Sequence, residues 1–536
     1  MIKKFQFSRL DTIGAADAEG DNFLVDCFVD NGYLSHLYDT QDHRFILLGR
    51  TGSGKSALLL KMLQTHRRTL LLKPENLSLT YISNSTILKF LLDLDVNLDL
   101  FFKLLWRHVL AVELLKHHFS LNSQKEADSW FQTLRNKLSS DKRNQDGLKY
   151  LEKWGSSFWK ETDYRVKEIT ESFATNIKAK IISLLPSGTT SLDSNLKLEK
   201  DQKAEIQYRI QHIVSEIHMD ELTKIMELIN KIFDDPQKPY FVVIDRLDED
   251  WIEDKLRYKL IRSLIETAKE YRSIENVKTF IALRQDLLTS IFYKTRSAGF
   301  QPEKYESLCI NIEWTKEDLK ILIDKRISEL AKNKDVSSAI DFQKILPKSI
   351  NRDENPVEYI LDRTLLRPRD AIAFLNFMIK RADKKSQFTA TIIKDAEEEY
   401  STSRINALVF EWFSEYPNIY NASKILRGKP SQFNLEEITE NDLIQLYLRY
   451  EDFAKQPHCQ IFKLVQKLGD NEINYDDFRV KLIRIFYLVG LIGIKSNSWN
   501  TFVFSIDSER AIQKPEINQK VRFLIHKAFW RNLGIS

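Results

Sequence analysis

A chain of 536 residues is too long for a single hydrophobic core and, at roughly 150 residues per domain, is expected to form about three structural units. Its 43% apolar content is that of a globular protein, and three scattered cysteines with no CxxC pair support neither a disulfide framework nor a zinc site. A net charge of +4, from 80 basic and 76 acidic side chains, excludes a protein-wide cationic field, so any nucleic-acid surface must be local.

The N-terminal stretch MIKKFQFSRL lacks an apolar leader, and the longest apolar run, near Ile485 to Ile494, is too short to cross a bilayer. A soluble, cytoplasmic protein with no membrane association is expected. Residues 44–48 (RFILL) are a short apolar run that leads into GRTGSGKS and then into SALLLKMLQTHR, apolar at helical spacing: strand, loop, helix. Further apolar runs follow at 69–73 (TLLLK), 240–245 (YFVVID), 277–284 (VKTFIALR) and 308–314 (LCINIEW), the pattern of buried strands in a parallel sheet. Between the second and third of these strands, helical periodicity at 86–118 and 199–234 predicts a large helical insertion. Amphipathic helices are expected at 315–331, at 357–382 with a break at Pro368, and near 389–413, together forming a small helical lid. The chain then reads as helix (YDDFRVKLIRIFYLVG), strand (LIGIK), polar turn (SNSWN), strand (TFVFSI) and helix (KVRFLIHKAFWRNL), a winged-helix-like pattern. The expected organisation is an α/β core of parallel sheet in two parts, 1–75 and 236–314, interrupted by the insertion at 76–235. A lid at 315–400 and a winged-helix-like domain at 401–536 follow.

The chemistry concentrates in the loop. Gly49, Gly54, Lys55 and Ser56 match G-x-x-x-x-G-K-[ST], in which glycines let backbone N–H groups wrap phosphates, lysine reaches the β/γ-phosphates and the hydroxyl ligates magnesium. Gly49, Arg50, Thr51, Gly52, Ser53, Gly54, Lys55, Ser56 and Ala57 are therefore expected to hold a nucleotide. Asp245 follows the apolar run YFVVI and would sit at a strand end beside this loop, placed to hold Mg2+ with Ser56. Asp248 and Glu249 offer a carboxylate three or four residues on to polarise an attacking water; the alternative is a solvated acidic turn capping the next helix. Arg284 closes the strand FIAL and would face the same crevice, unless it is simply a surface arginine. Arg367 and Arg369 flank Pro368 at the start of a helix, where cations are disfavoured by about 0.3 to 1 kcal/mol, so an anionic partner such as a terminal phosphate is expected. Residues 478–536 hold ten Lys/Arg against three acids. Arg479, Lys481 and Arg484 on one helix could meet DNA phosphates; a solvated face or subunit contact is the plainer reading.

GRTGSGKSALLL, VVIDRLDEDW, FIALR and RPRDAIAFLN together resemble the additional-strand P-loop ATPases, within them the STAND (NACHT-like) and origin-recognition-like branch of AAA+ proteins found in bacterial anti-phage defence loci. The resemblance covers about 1–75 and 236–400. It implies ATP as the nucleotide, a catalytic set of Lys55, Asp248, Glu249, Arg284, Arg367 and Arg369, and the hhhhDxxDE form for Asp245, Asp248 and Glu249. It also implies a sensor 1 role for Arg284 and a sensor 2 role for RPRD. Arg246 departs from the glycine or acid usual after the magnesium aspartate. The implied function is a slow ATPase switch that forms a homo-oligomer and controls an effector carried by a separate chain. A DNA-bound loader or remodeller using the C-terminal domain, and a scaffold that holds ATP without turnover, are the alternatives.

Overall fold

The computed structural model describes residues 5–74, 96–119, 229–233, 235–249, 254–295, 303–334, 340–413, 415–449, 459–495, 501–505 and 520–535, with isolated residues or pairs between them. Most of the expected insertion, including about two thirds of the periodic stretch 199–234, and the polar turn 496–500 lie outside the described residues. The chain divides into two compact units: Asp30–Arg50 with Lys55–Ile312, and Met1–Val29 with Thr51–Gly54 and Glu313–Ser536.

The first unit is an α/β structure around five parallel strands, β1 (Ile46–Gly49), β2 (Thr69–Leu72), β3 (Tyr240–Ile244), β4 (Val277–Arg284) and β5 (Cys309–Asn311). Their order across the sheet is β2-β3-β4-β1-β5, so β4 lies between the strand that leads into the glycine-rich loop and the strand that ends before Asp245. Both faces are covered, which explains why these strands read as unbroken apolar runs: every residue of β1 and β3 is buried. Register pairs Gly49 with Arg284 and Ile244 with Ile281, bringing the chemically distinctive residues to the same ends of adjacent strands. Helix Asp99–Phe119, which the sequence assigns to the insertion, packs on helix Asp254–Tyr271 as part of this unit. Trp106 donates from Nε1 to the Leu260 carbonyl at 2.9 Å, and the Tyr271 hydroxyl donates to the Arg107 carbonyl at 2.7 Å. Insertion and core are thus not separable at residue 76.

In the second unit, helices Lys316–Lys332, Pro356–Leu361, Pro368–Arg381 and Ala390–Glu411 share one hydrophobic core with residues from both chain ends, including Phe5, Phe7, Ile13, Phe374, Tyr400, Phe523 and Ile535. The 368–381 helix begins with proline at its first position, where the missing N–H costs nothing, so Pro368 opens a new helix after Pro356–Leu361 and the expected break falls there. Phe374 stacks on Tyr400 with centroids 4.6 Å apart, holding this helix to helix 390–411. Residues Met1–Val29 join this unit rather than the sheet to which the sequence assigns them: Phe5, Phe7 and Ile13 enter its core, and Asp21 forms a buried ion pair with Arg326 at 2.5 Å.

The C-terminal part carries an antiparallel sheet of order β6-β9-β7-β8, formed by Gln432–Asn434 (β6), Ile492–Lys495 (β7), Val503–Phe504 (β8) and Arg522–Ile525 (β9), with helix Tyr475–Leu488 ahead of β7. The terminal helix expected over KVRFLIHKAFWRNL is not formed. Its first half is β9, paired with both β6 and β7, because Val521, Phe523 and Ile525 are buried while Arg522 points to solvent, a period of two; only a short 3-10 turn, Lys527–Phe529, follows.

Candidate functional site

The glycine-rich loop leaves the end of β1 at Gly49 and returns at helix Lys55–Thr65, which begins on the motif lysine. Gly52 and Gly54 have φ of 79° and 95°, a left-handed conformation that penalises a Cβ, and a Cβ on Gly52 would lie 2.7 Å from the Arg369 side chain. These two positions require glycine for backbone reasons alone. The Ser53 hydroxyl is buried with no hydrogen-bond partner among the described residues. Ala57 lies in the helix's first turn.

Within the sheet unit, Lys55 Nζ donates to the carbonyls of Gly49 at 2.8 Å and Arg50 at 3.0 Å. Desolvation pulls the Lys55 pKa from 10.5 to about 8 against the attraction of Asp248 and Asp245. Asp245 is 8% exposed, and burial pushes its carboxyl above the usual range, opposed by hydrogen bonds from the Ser56 hydroxyl and the Arg246 backbone N–H. Ser56 and Asp245, the expected metal ligands, therefore meet. Two oxygen donors of a hard-cation type, one a buried carboxylate that lacks full compensation, fit magnesium. Arg246 itself has φ of 62°, a strained value for a residue with a Cβ, and its Nε lies 3.6 Å from Glu249 Oε1. Asp248 sits 3.8 Å from Arg284 Nη1. Arg284 faces this cluster as expected, but its guanidinium is forked onto Asp286 at 3.0 and 2.7 Å, a partner that the sequence reading missed. The signal was present in R-Q-D, a carboxylate two residues past the strand end.

Arg367 and Arg369 belong to the second unit together with Thr51–Gly54. Arg367 is buried. Its Nε donates to Asp370 at 2.6 Å, and its Nη1 donates both to Glu411 at 3.0 Å and to the Thr51 carbonyl at 2.9 Å. Asp370, fully buried, also accepts from Arg404. Burial opposes the Arg367 charge, but Asp370 and Glu411 more than offset it and hold the guanidinium above its ordinary pKa. Arg369 is different. It donates from Nε to the Ala16 carbonyl at 3.2 Å, and burial lowers its pKa, partly countered by Glu411. Trp314 donates from Nε1 to the Ser53 carbonyl at 2.7 Å; nothing in its local sequence distinguishes it from a core tryptophan.

On the proposed DNA-facing helix, Arg484 is exposed, Lys481 is half-buried, and Arg479 pairs with Asp476 at 2.7 Å with its side chain 14% exposed. The three do not form one exposed cationic row. No helix among the described residues is long and apolar enough to cross a membrane.

Residues 317–409, spanning the helices that carry Arg367 and Arg369, match the FunZ-associated C-terminal helical domain. Over 547 residues the chain is 22% identical to the "Putative transposon gamma-delta 80.3 kDa protein" of Escherichia coli (strain K12), an alignment covering 99% of this chain and 68% of that protein. No solved structure matches the chain.

Proposed function

We propose that this protein binds ATP with magnesium in the Gly49–Ser56 loop and hydrolyses it slowly, as a cytoplasmic switch that assembles into a homo-oligomer and controls a separately encoded effector in bacterial anti-phage defence. The observation that carries the nucleotide reading is the meeting of Ser56 with Asp245 beside a desolvated Lys55. The β2-β3-β4-β1-β5 order supports a P-loop fold of the additional-strand class, since an extra strand separates the loop-bearing strand from the acidic one. Ser56 and Asp245 would hold the magnesium ion, which supplies charge neutralisation at the phosphate oxygens. Lys55, now bonded to loop carbonyls, would exchange them for β/γ-phosphate oxygens, a stronger charge-assisted contact. Asp248 or Glu249 would orient and deprotonate water. Arg369 has weaker compensation than Arg367.

The test is ATP and ADP affinity by calorimetry, with and without magnesium, and phosphate release, for the wild type, Lys55→Ala and Asp245→Asn. Lys55→Ala is expected to abolish binding and turnover, and Asp245→Asn to remove the magnesium dependence. Equal affinity in the wild type and Lys55→Ala would overturn the assignment. A DNA remodeller with a winged-helix-like C-terminal domain is the second reading, favoured by a relative named for a transposon. Salt-dependent duplex binding lost in Arg484→Ala would support it.

A further inference from the structure

Three successive carbonyls of the loop are held by donors from the unit that contains Trp314 and the 368–381 helix. Thr51 O accepts from Arg367 Nη1 at 2.9 Å, Gly52 O from the Arg369 backbone N–H at 3.4 Å, and Ser53 O from Trp314 Nε1 at 2.7 Å. Among the described residues no peptide bond is cis. In a planar trans peptide the C=O of one residue and the N–H of the next point in opposite directions. Holding the carbonyls of Thr51, Gly52 and Ser53 on one side therefore turns the N–H groups of Gly52, Ser53 and Gly54 to the other. The positive φ at Gly52 and Gly54 gives the alternating curvature that makes consecutive amides converge on an anion.

We infer that Trp314 and Arg367 are positioning residues: they clamp the outer carbonyls of the loop so that its inner amides form a preorganised cradle for a diphosphate group. Arg367 then acts through Thr51 rather than by reading a terminal phosphate. Its charge is already met by Asp370 at 2.6 Å and Glu411 at 3.0 Å, and its side chain is 4% exposed, so its guanidinium is committed to neighbours within its own unit. Trp314 contributes a single neutral N–H, and its ring stands in ordinary contact range, 3.7 Å, of a Cβ placed on Gly54. The inference deepens the nucleotide reading, but the cradle itself needs only a pyrophosphate.

The experiment uses the full chain and three probes by calorimetry: inorganic pyrophosphate, ADP and a non-hydrolysable ATP analogue. Trp314→Phe removes the N–H and keeps an aromatic ring against the loop; Arg367→Lys keeps the charge and loses the fork. Each variant is expected to weaken all three probes alike, by about five- to tenfold as for one lost hydrogen bond, with the thermal midpoint of unliganded Trp314→Phe unchanged. A purely structural role for Trp314 would instead lower that midpoint in step with affinity, and would overturn the inference. So would a loss confined to the ATP analogue in Arg367→Lys, or unchanged pyrophosphate affinity in Trp314→Phe. Should Arg367→Lys fail to fold, Trp314→Phe carries the test. Wild-type binding of pyrophosphate but of neither nucleotide would support the cradle and refute the nucleotide reading; binding of none of the three would refute both.

Discussion

Two clusters of charge sit near the ends of secondary structure in this protein, and they resolve their electrostatics in opposite ways. At the ends of β1, β3 and β4, burial drives Lys55 and Asp245 toward their neutral forms, lowering the one pKa and raising the other. At the start of helix 368–381, paired carboxylates drive Arg367 further into its charged form. In the first cluster desolvation outweighs what the neighbouring groups supply. In the second, carboxylates of the protein itself meet the charge: Asp370 and Glu411 pair with Arg367, and Asp370 also with Arg404. Clustered charge by itself thus does not identify a binding site.

The sharpest way to break this contrast is Asp370→Asn. Asp370 is 0% exposed and bridges Arg367 and Arg404, so the substitution leaves two buried guanidinium groups under-compensated. A loss of about 3 to 5 kcal/mol is expected in denaturant unfolding, and a loss below about 1 kcal/mol would mean that Asp370 is not what meets these charges. Next, Asp248→Asn or Glu249→Gln should slow hydrolysis by about 10² to 10⁴ while changing nucleotide affinity only a few-fold, as measured by single-turnover phosphate release. If both variants turn over at the wild-type rate, the base lies elsewhere.

A third prediction concerns pH. With its folded pKa lowered to about 8 from 10.5, Lys55 is charged in both folded and unfolded chains below pH 8, and its desolvation costs stability there. Between about 8 and 10.5 the folded protein holds fewer protons than the unfolded one, so this contribution to stability rises with pH. Phosphate binding runs the other way, because it requires the ammonium: affinity should fall by up to about tenfold per pH unit above 8, with proton uptake on binding. Calorimetry at pH 8.5 in buffers of different ionisation enthalpy measures that uptake. Its absence would show that the lysine is already fully charged. The smallest effect is expected for Arg246→Gly, which relieves a positive φ of 62° and forfeits an ion pair at 3.6 Å. The two terms, each about 1 kcal/mol, nearly cancel, so a thermal midpoint within a few degrees of wild type is expected. A large drop would mean that the Arg246 side chain holds the site's structure.

Much of the first cluster was legible because its residues are announced locally. An apolar run of four or five residues, a glycine-rich loop and a carboxylate at a strand end are short-range patterns, and β3 and β4 fall where the runs YFVVI and VKTFIALR predict. The second cluster was half legible. Two arginines against a helix dipole signalled an anionic partner, but that partner is Asp370, one turn on, and Glu411, more than forty residues away. Trp314 was invisible, since its role depends on a carbonyl 261 positions earlier in the chain. The misread terminal helix shows the ambiguity of short apolar segments: Val521, Leu524, Ile525 and Ala528 fit helical spacing, while the pairing of Phe523 with both Phe433 and Ile494 decides for a strand.

The grouping of Met1–Val29 with Glu313–Ser536 has a consequence for how the chain is made. During synthesis the segment holding Phe7, Ile13 and Asp21 emerges some three hundred residues ahead of Arg326 and Phe374, which share its ion pair or its core. At about 5 to 20 residues per second that interval is on the order of a quarter of a minute to a minute, during which the sheet unit can fold while the leading segment waits with its apolar side chains uncovered. The donors that clamp the loop carbonyls, Trp314 and Arg367, also emerge after the sheet strands. A nascent chain that has made only the sheet unit therefore carries the loop without Trp314 and Arg367.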